Sequence, residues 1–275
     1  MDGPQSGASS AVSIARAFVQ ARAEQCAVQV YPGPVPLTLD AAYAIQSQAL
    51  GLVRQTLAGW KIGRIHPPES DHFGDDRLSG PIFAEAIVEA APGAEVVFSA
   101  IEGGFCAVEG EVALLIGHDA PDGRSDWTAC TIAPLVAEAR AAVEMAGSPF
   151  AGINDLGPCV TASDFGNNAG LFLGPAIAPG ALEDPSQVRC RTLVDGAEVG
   201  AGRASDVPGG PLGALAWLAS HLARRGTPLK RGQWVTTGAM TGVHVIRPGQ
   251  TFQVEFDGLG AVSGQIIAAQ KGPIG

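Results

Sequence analysis

The sequence is poor in the features that mark disulfide scaffolds, zinc modules, nucleic-acid binders and membrane proteins. Its 275 residues include only five cysteines, at positions 26, 106, 130, 159 and 190. Their number is odd and no CxxC pair occurs, which argues against a disulfide framework and a thiolate zinc site and suits a reducing cytosol. Charged residues make up 16% of the chain and the formal net charge is −10. A nucleic-acid-binding surface would need a basic stripe, and the chain has none. No apolar run approaches the roughly 18 residues of a membrane span. The N-terminal MDGPQSGASS has no basic segment followed by an apolar one, as a secretory leader would. The expectation is a soluble, cytoplasmic protein with neither a nucleic-acid nor a membrane partner. Those first residues are small and polar, a composition expected of a disordered or trimmed terminus. The histidines, at 66, 72, 118, 221 and 244, form no HxxxH pair. No GxSxG is present, and the glycines of GGFCAVEG open no helix.

What is present is apolar content, 46% of the chain, enough to bury one large core or two small ones. From Ser10 to about Ala27, the residues Ala11, Ile14, Ala15, Phe18 and Ala21 recur at helical spacing. Pro32, Gly33, Pro34 and Pro36 then impose an extended connector. LTLDAAYAIQSQALGLVRQTL resumes the helical period, with Asp40 as the expected N-cap and Tyr43, Ile45, Ala49, Leu52 and Val53 as buried candidates. GWKIG, at 59–63, has the form of a short strand. After about residue 80, short apolar segments alternate with Gly/Pro turns, and Asp195-Gly196 marks a hairpin. Two helices are expected to interrupt that pattern. One lies over roughly 131–143; the other is PLGALAWLASHLARRG, with Pro211 near its start and Gly226 as its stop. The fold class expected is α+β, with a mainly helical region over 1–80 and a β-rich, mainly antiparallel domain over 81–275.

Within CAVEGEVALLIG, Glu109 and Glu111 stand two positions apart in a strand and therefore point to one face. Val108, Val112, Leu114 and Ile116 share the other face with Gly110. Like charges this close repel, and burying them unpaired costs several kcal/mol. Either the pair is solvated, as alternating glutamates in a half-exposed strand usually are, or a divalent cation with a preference for hard oxygen ligands bridges it. A bridged pair needs a third oxygen ligand, for which Glu138 and Glu144 are both candidates; spacing does not choose between them. Lys61 is the other anomaly, a lone cation between apolar neighbours in GWKIG. It reads either as a snorkelling strand lysine or as a lysine facing an anionic substrate. The Gly-rich turn ASDFGNNAGLFLG adds Asp164, Asn167 and Asn168.

In collinear order, YAIQ, GWKIG, VEGEVAL, AAVEMAGSPF, PLGALAWLASHLARRGTPLKRGQWVTTGAMTG and GLGAVS resemble the 2-hydroxypenta-2,4-dienoate (2-keto-4-pentenoate) hydratases. They also resemble the sister 4-oxalocrotonate decarboxylases, both groups belonging to the fumarylacetoacetate hydrolase superfamily. The resemblance spans about residues 40–270. It implies a fumarylacetoacetate-hydrolase-type β-sandwich or roll, a homo-oligomer, and a Mg²⁺ or Mn²⁺ site on Glu109, Glu111 and Glu144. It selects Glu144 over Glu138 because VEMAGSPF matches the family segment. It also implies that Lys61 faces the substrate as a catalytic residue, that Asp76 or its neighbour Asp75 takes the place of the family acid, and that the Asp164 turn and Thr237 line the substrate pocket. Asn167, standing where the family has serine, and Arg64, a cation the family lacks, are further substrate-binding candidates. The activity implied is hydration of a 2-hydroxy-2,4-dienoic acid to a 4-hydroxy-2-oxo acid. The alternatives are a decarboxylase or hydrolase of a related 2-oxo acid, or an inactive partner subunit. The chain departs from the family at DFGN, where hydratases read Asp-Asn-Ala-Ser, at RIH after GWKIG, and in FGDDRLSGPIF. These departures imply a substrate that is bulkier than pentadienoate or carries a second carboxylate.

Overall fold

A computed structural model describes residues 4–270. The helical stripe Ile14, Ala15, Phe18 and Ala21 is buried on α1 (Pro4–Glu24). Ile14, Ala15 and Phe18, together with Tyr31 and Phe150, pack against Ile45 and Ala49 of α2 (Leu39–Leu52). Residues 4–10, expected to be disordered or trimmed, form the first turns of α1; residues 1–3 lie outside the described residues. Thr38, not Asp40, caps α2: its extended backbone lets the hydroxyl accept the Ala41 N–H at 3.2 Å. Asp40 falls in the first turn, where its charge still favours the positive helix end.

Four further helices follow: α3 (Glu69–Phe73), α4 (Ala129–Ile132), α5 (Pro158–Ser163) and α6 (Gly210–Arg224). Only α6 is long. It buries Ala214, Leu215, Leu218, Ala219 and Leu222, and Gly226 follows its end at φ 73°. Among the described residues, no helix is long and apolar enough to cross a membrane.

The strands are β1 (Leu57–Arg64), β2 (Arg77–Phe83), β3 (Ile87–Glu89), β4 (Glu95–Ala100), β5 (Phe105–Ile116), β6 (Val136–Ser148) and β7 (Asn168–Ile177). They continue as β8 (Arg189–Val194), β9 (Ala197–Arg203), β10 (Trp234–Thr236), β11 (His244–Val245), β12 (Thr251–Phe256) and β13 (Gly260–Ala268). The larger sheet has eight strands in the order β2-β1-β10-β5-β6-β7-β3, with β11 added on β5; the smaller has the order β4-β13-β12-β8-β9. Pairings of β1 with β10, β3 with β7 and β13 with β4 are parallel, and the others are antiparallel. β8 and β9 form the hairpin expected at Asp195-Gly196. The segment expected to be mainly helical supplies β1 and β2 to the larger sheet. β2 also packs against β7, so the sheet curls.

The helix expected over 131–143 is a correction. After α4 and a short 3-10 turn, the chain runs from Val136 as β6, paired with β5 on one side and β7 on the other. AEARAAVEMAGS is rich in helix formers, but a central position in the sheet overrides local propensity.

The main core lies between the two sheets and α6. It takes Val108, Val112 and Leu114 from β5, Val143 and Met145 from β6, and Val254 and Cys190 from the smaller sheet. Gly110 lets the two sheets approach closely. A Cβ there would stand 2.9 Å from Val254 Cγ1 and 3.0 Å from Cys190 Sγ. The opposite face of β5 and β6 therefore turns into the curl of the larger sheet.

Candidate metal centre

On that inner face, strand register assembles what sequence spacing could not. Glu109 lies directly opposite Glu144 across the β5–β6 pairing, and Glu111 lies opposite Ala142. One oxygen from each of the three glutamates falls within 4.8 Å of the others, and all three residues are buried. β10 brings Thr236 opposite Ala113 of β5, and β1 brings Lys61 opposite Thr236. Lys61 Nζ is 3.2 Å from Glu144 Oε1. Deeper in the curl, Ile82, Ala113, Ala142, Leu171 and Leu173 form a small apolar floor.

Each carboxylate is held by specific partners. Glu144 accepts hydrogen bonds from Thr236 Oγ1 at 2.8 Å and Asn168 Nδ2 at 3.1 Å, in addition to Lys61. Glu111 Oε2 accepts the Gly238 backbone N–H at 2.7 Å, while its Oε1 is buried without a partner. Gly238 has φ 117°, a conformation that favours glycine and turns its N–H toward the strand. Burial pushes Glu109 up to about 7; Lys61 opposes that shift and Glu144 adds to it. Glu111 is raised well above the usual carboxylate range by burial, then by the Glu144 and Glu109 charges. Burial alone would lower Lys61, but Glu144, Glu109 and Glu111 more than reverse this and leave it raised, so it is held as an ammonium.

Three buried carboxylates and one ammonium leave an excess of negative charge when all are ionised. Among the described residues this is the one group of carboxylate, histidine or cysteine side chains close enough to hold a metal. The unpartnered Glu111 oxygen, the all-oxygen donor set and the uncompensated charge all fit a hard divalent cation. Glu138, the alternative third glutamate, is engaged elsewhere: it accepts from Arg140 Nε at 2.6 Å, and Arg140 also reaches Glu89 at 2.7 Å.

The other expected site residues sit around this centre rather than in it. Asp164 is buried, chelated by Arg22 through Nε at 2.8 Å and Nη2 at 2.9 Å, and bonded by Ser148 Oγ at 2.6 Å. Asn167 lies in a left-handed turn, with φ values of 54°, 61° and 65° at Phe165, Gly166 and Asn167, and its buried Oδ1 has no partner. The Thr237 hydroxyl donates to the Val112 carbonyl at 3.0 Å. Arg64 is exposed and stands opposite Arg77 across β1 and β2. Both arginines, with Thr237 and Gly238, line a small cavity of about 40 Å³. Asp76 is paired to Arg77 at 2.8 Å, whereas Asp75 accepts from Trp217 Nε1 at 2.9 Å and is raised by partial burial. A separate cavity of about 560 Å³ is lined by Arg22, Ser148, Phe165 and Asn168, among others, and by none of the three glutamates. Burial pushes Cys106 and Cys190 up to about 12, so neither offers a thiolate.

Two contacts of Glu144 were not anticipated. Thr236 was legible: Val235 belongs to the core, so strand alternation sends Thr236 to the Lys61 face. Asn168 was not, because a β-bulge aims it. Met145 pairs with Gly170 but Ala146 pairs with Asn168, so Ala169 is the extra residue. The bulge turns Asn168 onto the face of Ala146 and Glu144.

Comparison with known proteins is consistent along the chain. Residues 83–267 match the family model described as fumarylacetoacetate (FAA) hydrolase C-terminal. The chain is 31% identical to a 2-keto-4-pentenoate hydratase of Burkholderia vietnamiensis, over 80% of this chain and 83% of that protein. It is 32% identical to 2-keto-4-pentenoate hydratase 1 of Dechloromonas aromatica, over 82% of this chain and 84% of that one. Among solved structures it resembles 4-oxalocrotonate decarboxylase from Pseudomonas putida, complexed with magnesium and adipate. That likeness has a TM-score of 0.79 at 19% identity and covers 94% of this chain and 97% of the other.

Proposed function

The chain belongs to the fumarylacetoacetate hydrolase family, as a hydratase-type lyase related to the 2-keto-4-pentenoate hydratases, and from that premise we propose how its residues carry the reaction. The substrate is a 2-hydroxy-2,4-dienoic acid, and the product is the 4-hydroxy-2-oxo acid formed by adding water. Glu109, Glu111 and Glu144 hold Mg²⁺ or Mn²⁺. The single observation that carries this reading is the buried three-glutamate cluster, with its unpartnered Glu111 oxygen and one lysine facing it. When bound, the cation supplies charge compensation and Lewis-acid polarisation at the 2-oxo acid end of the substrate.

The chain's own groups do the rest. Lys61, kept as an ammonium by the glutamates around it, orients the substrate carboxylate and holds a proton at Nζ for transfer. Thr236 and Asn168 fix the Glu144 carboxylate from both of its oxygens, and the Gly238 N–H fixes Glu111. These donors hold the acceptors in place before substrate arrives, so little reorganisation accompanies the developing charge. The apolar floor of Ile82, Ala113, Ala142, Leu171 and Leu173 excludes water from the closed side. Asp76 acts from the loop that precedes β2, with Arg64 and Thr237 at the cavity beside Gly238 and Asn167 on the turn ahead of β7. Asp164 shapes the site through its partners. We further propose that the enzyme works in the cytoplasm as a homo-oligomer.

The test is a panel of 2-hydroxydienoic and 2-oxo acids assayed with Mg²⁺ and Mn²⁺. Loss of dienoate absorbance without CO₂ release supports hydration. CO₂ release replaces it with decarboxylation, and no turnover of any member leaves the partner-subunit alternative.

A further inference from the structure

One side chain of the N-terminal helix reaches the strands beside the candidate metal centre. Arg22, near the end of α1, uses four of its five N–H donors on partners far away in sequence. Two go to Asp164, one to the Gly147 carbonyl at 2.9 Å, and one to the Asn168 carbonyl at 3.1 Å. Gly147 lies on β6 and Asn168 on β7, immediately beside the bulge where these strands leave regular register. The guanidinium therefore ties together two strand carbonyls at the irregular point of the ladder. Asp164 is fully buried beneath it and is bonded in turn by Ser148 of β6. The ring of Phe165, which follows Asp164, lies under the guanidinium at 5.3 Å.

We propose that Arg22 is a positioning residue for the metal centre, holding the β7 bulge in the form that aims Asn168 Nδ2 at Glu144 Oε1. The inference rests on the reading of Glu144 as a metal ligand. Asn168 touches the ligand, whereas Arg22 touches strand carbonyls, Asp164 and the Phe165 ring but none of the three glutamates, so the proposed route from Arg22 to the metal runs through Asn168. Partners that orient a metal ligand typically change affinity by about 10–100-fold when removed.

The experiment is Mn²⁺ binding to the full chain by calorimetry, with the Mn²⁺ paramagnetic spectrum recorded alongside. It compares the wild type, Arg22→Lys, Asn168→Ala and the double variant. Lysine keeps a positive charge beside Asp164 but lacks the planar fork that bridges two carbonyls. The expected result is a dissociation constant raised about tenfold in each single variant, and a double variant no weaker than Asn168→Ala alone. The spectrum of Arg22→Lys should match that of Asn168→Ala. Should Arg22→Lys not fold, Asp164→Asn, which loosens the fork while keeping the arginine, takes its place in the cycle. A lowered melting temperature with unchanged Mn²⁺ affinity and spectrum overturns the proposal, as do effects that multiply in the double variant. Failure of the wild type to bind Mn²⁺ overturns the metal reading itself, and the proposal with it.

Discussion

Replacing Glu109 with glutamine should stabilise the protein in chelator and weaken it as a metal binder. Glu109 is 5% exposed and faces Glu144, Glu111 and Lys61. Burial first, with Glu144 adding and Lys61 opposing, lifts its carboxyl from 4.5 to about 7. That difference corresponds to about 3 kcal/mol of preference for the protonated form in the fold. The sign follows from the raised folded value. Stability is fully present below pH 4.5, falls as pH rises, and is lost above about 7. Glutamine carries no charge and avoids the loss. In EDTA at pH 8, Glu109→Gln should therefore melt higher than the wild type, by roughly 6–12 °C at roughly 2–4 °C per kcal/mol. The gap should close by pH 4.5. In saturating Mg²⁺ the order should narrow or reverse, because ligand at about 100 times its Kd adds about 2.7 kcal/mol to the wild type. Differential scanning fluorimetry over this pH range provides the assay. A glutamine variant no more stable than the wild type in EDTA at pH 8 would refute the claim that these carboxylates are confined at a cost to stability.

Three further outcomes are expected. Thr236→Val removes the 2.8 Å bond to Glu144 Oε2 and should weaken Mn²⁺ binding about tenfold by calorimetry, whereas Thr236→Ser should restore it. His221, stacked on Trp217 and beside Tyr43, is pushed down to about 3 by burial, then by Arg225 and Arg224. The folded protein therefore loses stability relative to the unfolded chain as pH falls from 6.5 toward 3, and urea midpoints at pH 7 and 4.5 should show that loss diminished in His221→Phe. Gly110→Ala places a methyl group 2.9 Å from Val254 and 3.0 Å from Cys190. It should destabilise the fold by about 1–3 kcal/mol in urea unfolding.

Much of the site was legible in the sequence because strands alternate. Glu109 and Glu111 share a face by their spacing alone, and the apolar face of Val108, Val112 and Leu114 identifies their side as the other one. Glu144 lay beyond that logic. Its place opposite Glu109 depends on the β5–β6 register, and its own segment is so rich in alanine and glutamate that local propensity pointed to a helix. Asn168 was hidden by a single extra residue in β7, which reverses the alternation. Asp164 was recognisable as part of the turn, but nothing nearby in sequence indicates that Arg22, 142 positions earlier, occupies both of its oxygens. The helices of the N-terminal part followed their apolar period. The crossing of β1 and β2 into the larger sheet is a long-range pairing without a local signature.

The most direct test of the account is the metal dependence of turnover. Hydration of the best-turned-over member of the 2-hydroxy-2,4-dienoic acid panel by the wild-type protein is followed by loss of ultraviolet absorbance, first in EDTA and then after excess Mg²⁺. The account predicts no turnover in EDTA and full recovery on adding Mg²⁺. An equal rate in EDTA and in Mg²⁺ would contradict it.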